Sequence, residues 1–283
     1  MKRIIMLTSA AVLLSGCSVP YLDKLTGEHS AEPQESPATQ TNSSQNQNAP
    51  SDGSGEEQNQ KDNQEVPTGL VLNEEQFNDI KEVDGKKIIQ NSSNVLALVN
   101  KEYTLPSDYI PADLVRPHVA FSFGGQDIEK SHMRAEAASH LEKMFSGAKK
   151  EGIELYAASG YRSYSRQDAL LKAEIKSVGE EKAVQAVAIP GESEHQSGLA
   201  MDITCKGENM LLTEHFEQTV EGKWLREHAH EYGFILRYPK GKESITGYEY
   251  EPWHFRYVGE KAAAEIYSHN WTLEEYFQHV KKV

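Results

Sequence analysis

Apolar residues are spread unevenly along the 283-residue chain. One mostly apolar run, Ile4 to Leu14, stands near its start. From Ser18 to about Thr68 large apolar side chains almost vanish, and Ser, Gln, Asn, Glu, Pro and Gly take over, as in Thr39–Asn48. Such a stretch cannot bury enough surface to offset its ordering entropy, so a disordered tether is expected there. Periodic patterns return from about Leu70 and continue to Val283. Met133–Lys150 predicts a helix, with Met133, Ala137, Leu141, Met144 and Phe145 at helical spacing and Gly152 to end it. Ile153–Ser159 predicts a strand. Ser165 opens a second helix with Leu170, Leu171 and Ile175 inward. Leu199–Thr204 predicts a strand with Leu199, Met201 and Ile203 on the core face, and Ala200, Asp202 and Thr204 on a polar one. Val220–Tyr232 predicts a helix closed by Gly233. Phe234–Tyr238 and His254–Val258 predict two more strands. Helices lead and strands follow, an α+β pattern around a mostly antiparallel sheet. Residues 70–125 read as an N-terminal extension of one sizeable core, with no internal repeat.

The opening run is flanked by Lys2 and Arg3 on one side and Ser15-Gly16-Cys17 on the other, the order of a secretory signal. It is too short to span a bilayer, which takes ~20 residues. Leu14-Ser15-Gly16-Cys17 resembles the bacterial lipobox. That resemblance implies a signal peptide over 1–16 and a lipid on Cys17, with each buried methylene adding roughly 0.8 kcal/mol of membrane affinity. The chain then divides into signal peptide 1–16, tether 17–69 and folded domain 70–283. The tether has an r.m.s. reach of roughly 40 Å, which would carry a membrane-anchored domain out into the cell wall. Cys205, the only other cysteine, is expected to be a buried, inert thiol.

The net charge is −14. Residues 17–69 hold two Lys against nine acidic residues, and the folded part is acidic too. No basic footprint is offered to a nucleic acid. Nothing in the sequence indicates an oligomer, and a monomer is expected.

Two clusters carry chemistry. The first is Ser193-Glu194-His195-Gln196-Ser197-Gly198-Leu199-Ala200-Met201-Asp202, with His195 on a loop that Gly198 lets bend and Asp202 on the polar face of a strand. The second is Glu251-Pro252-Trp253-His254, where a turn through Pro252 would aim both ionisable side chains at one cavity. Catalytic zinc takes three N or O protein ligands and leaves one position open. His195, Asp202 and His254 fill that requirement and leave Glu251 as a base. Zinc lowers the pKa of water toward ~7, and Glu251 can take that proton and pass it to a leaving amine. A third feature, Ser159-Gly160-Tyr161-Arg162-Ser163, places an arginine fork at a strand end, suited to a carboxylate or an oxyanion.

S-G-Y-R-S, S-x-H-x-x-G-x-A-x-D and E-x-W-H, in this order, resemble the VanY-type D-alanyl-D-alanine carboxypeptidases of the zinc peptidase group that includes lysostaphin and hedgehog domains. The resemblance covers roughly residues 70–283 and implies that fold. It implies Zn2+ on His195, Asp202 and His254, Glu251 as general base and Arg162 at the oxyanion. It further implies that Ser193 and Gln167 contact the substrate terminus, with Arg237 and Tyr238 as weaker contacts. The implied substrate is the peptide stem of peptidoglycan, cut to release terminal D-alanine. The whole domain looks most like exported LD-carboxypeptidases, so the tetrapeptide is expected ahead of the pentapeptide. Two other functions stay open: an endopeptidase, which calls for a cleft open at both ends, and a non-catalytic wall-binding module, which calls for loss of a ligand or the base.

Other candidates have plainer readings. Trp253 suits a core or pocket wall. His228 and His230 lie two apart on a helix and do not share a face, so packing is expected for His228 beside Trp224, Leu225 and Tyr232. Lys240–Glu243 reads as a solvated loop.

Overall fold

The structure, a computed structural model, describes residues 70–283, the side chains of residues 185 and 186 excepted. The expected signal peptide, Cys17 and the tether lie outside the described residues.

Six short strands come first: β1 (Val71–Leu72), β2 (Ile80–Val83), β3 (Lys86–Ile89), β4 (Tyr103–Thr104), β5 (Leu114–Val115) and β6 (Met133–Arg134). There follow helix α1 (Ala135–Lys150), β7 (Tyr156–Ser159), α2 (Tyr164–Val178), α3 (Glu180–Ala186) and β8 (Ala200–Thr204). The chain then forms α4 (Val220–His228), β9 (Phe234–Leu236), α5 (Glu243–Thr246), β10 (His254–Tyr257), α6 (Glu260–His269), α7 (Leu273–His279) and β11 (Lys281–Lys282). The central sheet runs β7-β8-β10-β9 with antiparallel neighbours throughout. The α+β architecture expected from the sequence is the one found.

Helix α1 forms because Ala137, Ala138, Leu141, Met144 and Ala148 recur on one face, and that face covers the sheet. With Leu199, Met201, Ile203, Phe255 and Tyr257 from the sheet they build the main core. Leu141 is fully buried, and trimming such a leucine to alanine costs about 2–5 kcal/mol. A second cluster joins Leu96, Ile235 and Val258 to Ala263, Ile266 and Tyr276 of α6 and α7.

Several element ends differ from expectation. Met133 and Arg134 do not start α1, because they pair with Val115 and Leu114. The Ile153–Ser159 strand shortens to β7, and the Phe234–Tyr238 strand to β9. The Val220–Tyr232 helix tightens into a 3-10 turn from Ala229 before closing on Gly233 at φ 82°. In α2 the buried positions are Gln167 and Leu171, while Leu170 and Ile175 are only half-buried. In β8 all five residues are buried. Its second face is polar as expected, yet it is roofed over and not open to water.

Candidate active site

Strand pairing brings the first two side chains together. Asp202 on β8 lies opposite His254 on β10 and, across a bulge, opposite Ser159 on β7. Directly opposed residues hold their Cβ atoms ~4.5–5.5 Å apart. His195 arrives from a 3-10 turn, Glu194–Ser197, that ends on Gly198 in the left-handed region at φ 69°. Its Nδ1–H donates to the Gly160 carbonyl at 2.8 Å, which leaves Nε2 as the free lone pair. The turn carrying Gly160 runs so close to the neighbouring chain that a Cβ there would lie 2.4 Å from the His132 carbonyl oxygen. Only glycine fits between strand end and arginine in S-G-Y-R.

His195, Asp202 and His254 each offer one ligand atom, and these lie within 4.8 Å of one another. His195 Nε2 is 3.4 Å from Asp202 Oδ2, and His254 Nδ1 is 3.1 Å from Asp202 Oδ1. Donors ~2.1 Å from a tetrahedral zinc ion stand about 3.4 Å apart, so the spacing fits such an ion. Asp202 Oδ1 is buried and makes no hydrogen bond of its own among the described residues. A buried carboxylate oxygen without a hydrogen bond, on a carboxylate flanked by two imidazoles, suits a cation site. Burial pushes the Asp202 carboxyl up, but the flanking His195 and His254 outweigh it and hold it well below the usual carboxylate range. Burial also keeps His195 neutral by lowering its pKa. The donor set fits zinc better than calcium or magnesium, which prefer oxygen alone.

Glu251 stands at the rim, with its side chain 29% exposed and Oε2 3.7 Å from His254 Nδ1. The turn through Pro252 is closed by the His254 N–H donating to the Glu251 carbonyl at 3.1 Å. Removal from water pushes the Glu251 carboxyl up to about 7, the range suited to a general base. Arg162 is fixed at both ends. Its N–H donates to the His195 carbonyl at 3.1 Å, and its guanidinium donates to Gln167 Oε1 at 2.9 Å and to Ser159 Oγ at 3.3 Å. Helix α2 starts directly after it because Ser163 Oγ accepts from the Arg166 N–H. Burial lowers the Arg162 pKa, opposed by the nearby Asp202 and Glu251 carboxylates.

The other expected contacts are all buried. Ser193 is buried just before the His195 turn. Gln167 is also buried, and both ends of its amide are engaged, since Nε2 donates to the Ala188 carbonyl at 2.7 Å. Its amide therefore ties the Arg162 guanidinium to the Ala188 carbonyl. Arg237 is held in a buried ion cluster. Its side chain is 0% exposed and its donors are taken by Glu194 and Glu274. Tyr238 is buried and packs at a tilt against the His254 ring, with centroids 4.8 Å apart. Both follow directly on β9, which ends at Leu236. Glu194 and Arg256 were not singled out by sequence. Glu194 Oε2 lies 3.3 Å from His254 Nε2, and Arg256 Nη1 donates to Glu194 Oε1 at 2.7 Å. The one signal was position, since Glu194 adjoins His195 and Arg256 follows His254 by two.

The plainer readings stand beside these. Trp253 is half-buried against the main core. His228 stacks on Trp224 with centroids 5.0 Å apart. His230 stacks on Tyr267. Cys205 is buried and has no disulfide partner among the described residues, with burial raising its pKa.

An antiparallel α+β core that gathers two imidazoles, a carboxylate and a second, rim carboxylate is the arrangement expected of a metallopeptidase. A family model described as VanY, D-alanyl-D-alanine carboxypeptidase, matches residues 130–260. A second, for the prokaryotic membrane lipoprotein lipid attachment site, matches residues 1–18. The putative carboxypeptidase YodJ of Bacillus subtilis is 58% identical over 212 residues, spanning 75% of this chain and 77% of YodJ. The bifunctional D-Ala-D-Ala dipeptidase and carboxypeptidase VanXYC of Enterococcus gallinarum is 36% identical over 192 residues, spanning 66% of this chain and 95% of VanXYC. Among solved structures, the LdcB LD-carboxypeptidase superposes with a TM-score of 0.74 at 57% identity, covering 76% of this chain and all 100% of LdcB. A VanY D,D-pentapeptidase variant in complex with Zn(II) gives 0.53 at 32%, covering 65% of this chain and 98% of that one. The chain belongs to the VanY D-alanyl-D-alanine carboxypeptidase family.

Proposed function

We propose that this chain is a zinc carboxypeptidase that hydrolyses the terminal D-alanine from peptidoglycan stem peptides, with the tetrapeptide preferred. The observation that carries the reading is the trio His195, Asp202 and His254, its free lone pairs converging at zinc spacing. His195 Nε2, His254 Nδ1 and an oxygen of Asp202 would hold the metal. When bound, zinc supplies Lewis-acid polarisation and a nucleophile near neutral pH. Glu251 accepts the proton of the attacking water and returns it to the amine of the departing D-alanine as the C–N bond breaks. Arg162, its fork steadied by Gln167 and Ser159, faces the charge that develops on the carbonyl oxygen or holds the terminal carboxylate. Ser193, two residues before His195, would contact the substrate terminus.

The tetrapeptide preference rests on likeness. LdcB, an LD-carboxypeptidase, is 57% identical, whereas the VanY D,D-pentapeptidase is 32% identical. Anchoring through a lipid on Cys17 rests on the attachment-site match, and it would hold domain 70–283 outside the membrane on tether 17–69, reaching into the wall.

The test is mass spectrometry of purified muropeptides incubated with the full chain in detergent and zinc. Tetrapeptide turning to tripeptide supports the LD reading. Pentapeptide turning to tetrapeptide alone replaces it with the DD reading. Neither change, with zinc bound, removes the carboxypeptidase assignment.

A further inference from the structure

Behind His254 lies a buried ion cluster to which the chemistry above gives no role. Glu194 Oε1 accepts from Arg237 Nε at 2.8 Å and from Arg256 Nη1 at 2.7 Å, and all three side chains are 0% exposed. Its other oxygen, Oε2, faces His254 Nε2 at 3.3 Å. On the far side of Arg237, Glu274 of α7 takes Nη1 and Nη2 in a fork at 2.9 and 2.7 Å. Asn100 donates to the same Glu274 at 3.2 Å. Arg256 Nη2 donates to the carbonyls of Val95 and Ala97, each at 2.9 Å. Two carboxylates and two guanidiniums balance in charge. Every outer anchor, Val95, Ala97, Asn100 and Glu274, lies outside the 130–260 family match.

Burying four charges is costly, and apolar side chains of the same volume would join these segments as well or better. An apolar cluster could not, however, hold a negative charge against the far nitrogen of a metal-ligating imidazole. A carboxylate there fixes the proton on Nε2, turns the Nδ1 lone pair toward the metal and raises its basicity. The two arginines keep Glu194 an anion inside the protein, and Glu274 keeps Arg237 aimed at it.

We infer that Glu194 is a positioning residue for His254, and that residues 95–100 and α7 brace it through Arg256 and the Arg237–Glu274 fork. Segments flanking the family core thereby set the metal affinity of the site. This rests on His254 being a metal ligand.

The test is zinc affinity of the full chain in detergent, by competition with a chelating indicator, together with the visible spectrum of the cobalt(II) form. Wild type that binds neither ion overturns the reading of the site itself, and this inference with it. With wild type binding, Glu194→Gln should lose zinc affinity by ~10–100-fold and shift the cobalt bands. Glu194→Asp, which keeps the charge, should recover part of the affinity. A folded Glu194→Gln with wild-type affinity and spectrum overturns the inference, because a merely structural residue lowers Tm without touching either. Where Glu194→Gln does not fold, Glu274→Gln decides. That side chain is 11% exposed and its loss leaves the Glu194–Arg237 pair in place. Reduced affinity supports the brace, and unchanged affinity overturns it.

Discussion

Replacing Glu251 by glutamine removes one charge from the rim of the metal pocket and little else. The backbone of residue 251 keeps its bonds, N–H to the Tyr238 carbonyl and carbonyl from the His254 N–H, both at 3.1 Å. The carboxylate is 3.7 Å from His254 Nδ1, too far for a hydrogen bond, and it is outside the donor trio. Zinc should therefore stay bound. Burial has already pushed this carboxyl up to about 7, so its anion is disfavoured in the fold, and a neutral amide should not lower Tm. Turnover is another matter. A positioned general acid–base contributes ~10²–10⁴-fold, or about 3–5.5 kcal/mol at ~1.36 kcal/mol per tenfold. Here one carboxylate takes the proton and gives it back, so the loss should fall in the upper half of that range. The assay is release of D-alanine from a stem tetrapeptide, with zinc content measured on the same sample. A kcat lowered by ~10³-fold or more at full zinc occupancy, with KM little changed, is expected. A folded, zinc-loaded variant within tenfold of wild type would refute the base assignment.

Four further outcomes follow from other parts of the site. Asp202→Ala removes the central donor and should abolish stoichiometric zinc binding; full occupancy by metal analysis would break the ligand set. Gly160→Ala sets a methyl 2.4 Å from the His132 carbonyl oxygen, so it should cost about 1–3 kcal/mol in denaturant unfolding and weaken zinc binding by shifting the carbonyl that orients His195. Wild-type stability and affinity would show that turn to be slack. Burial raises Glu192 from its ordinary 4.5 to about 7. Its anion then weakens the fold increasingly between pH 4.5 and 7 and fully above 7. Glu192→Gln should accordingly raise Tm over wild type at pH 8 and match it at pH 4, and equal Tm values at both would contradict the shift. Cys17→Ser should move the protein from the membrane to the soluble fraction, and unchanged fractionation would rule out a lipid anchor at that residue.

What the sequence made legible is what local pattern controls. The apolar period of α1 and the Gly233 stop come from spacing of ~3.6 and from backbone freedom. The donor trio was legible because cross-strand pairing needs only that two strands carry their ligands in register, as Asp202 and His254 do. Non-local covering was not legible. Alternation on β8 separated apolar from polar positions correctly, but burial of the polar face depends on the Glu194–Ser197 turn and on Arg256, which reach it from elsewhere. The ion pairs of Arg237 were not legible either, because its partners, Glu194 and Glu274, lie 43 and 37 residues away. Strands of two residues such as β5 and β6 carry no period at all, and that hid the true start of α1.

The central claim is that zinc sits between His195, Asp202 and His254. Crystals of the zinc-loaded protein, measured at the zinc absorption edge, test it most directly. One anomalous peak bounded by His195 Nε2, His254 Nδ1 and an Asp202 oxygen, each ~2.0–2.2 Å away, is the expected result. A pocket with no peak, or an ion bound through other side chains, would contradict it.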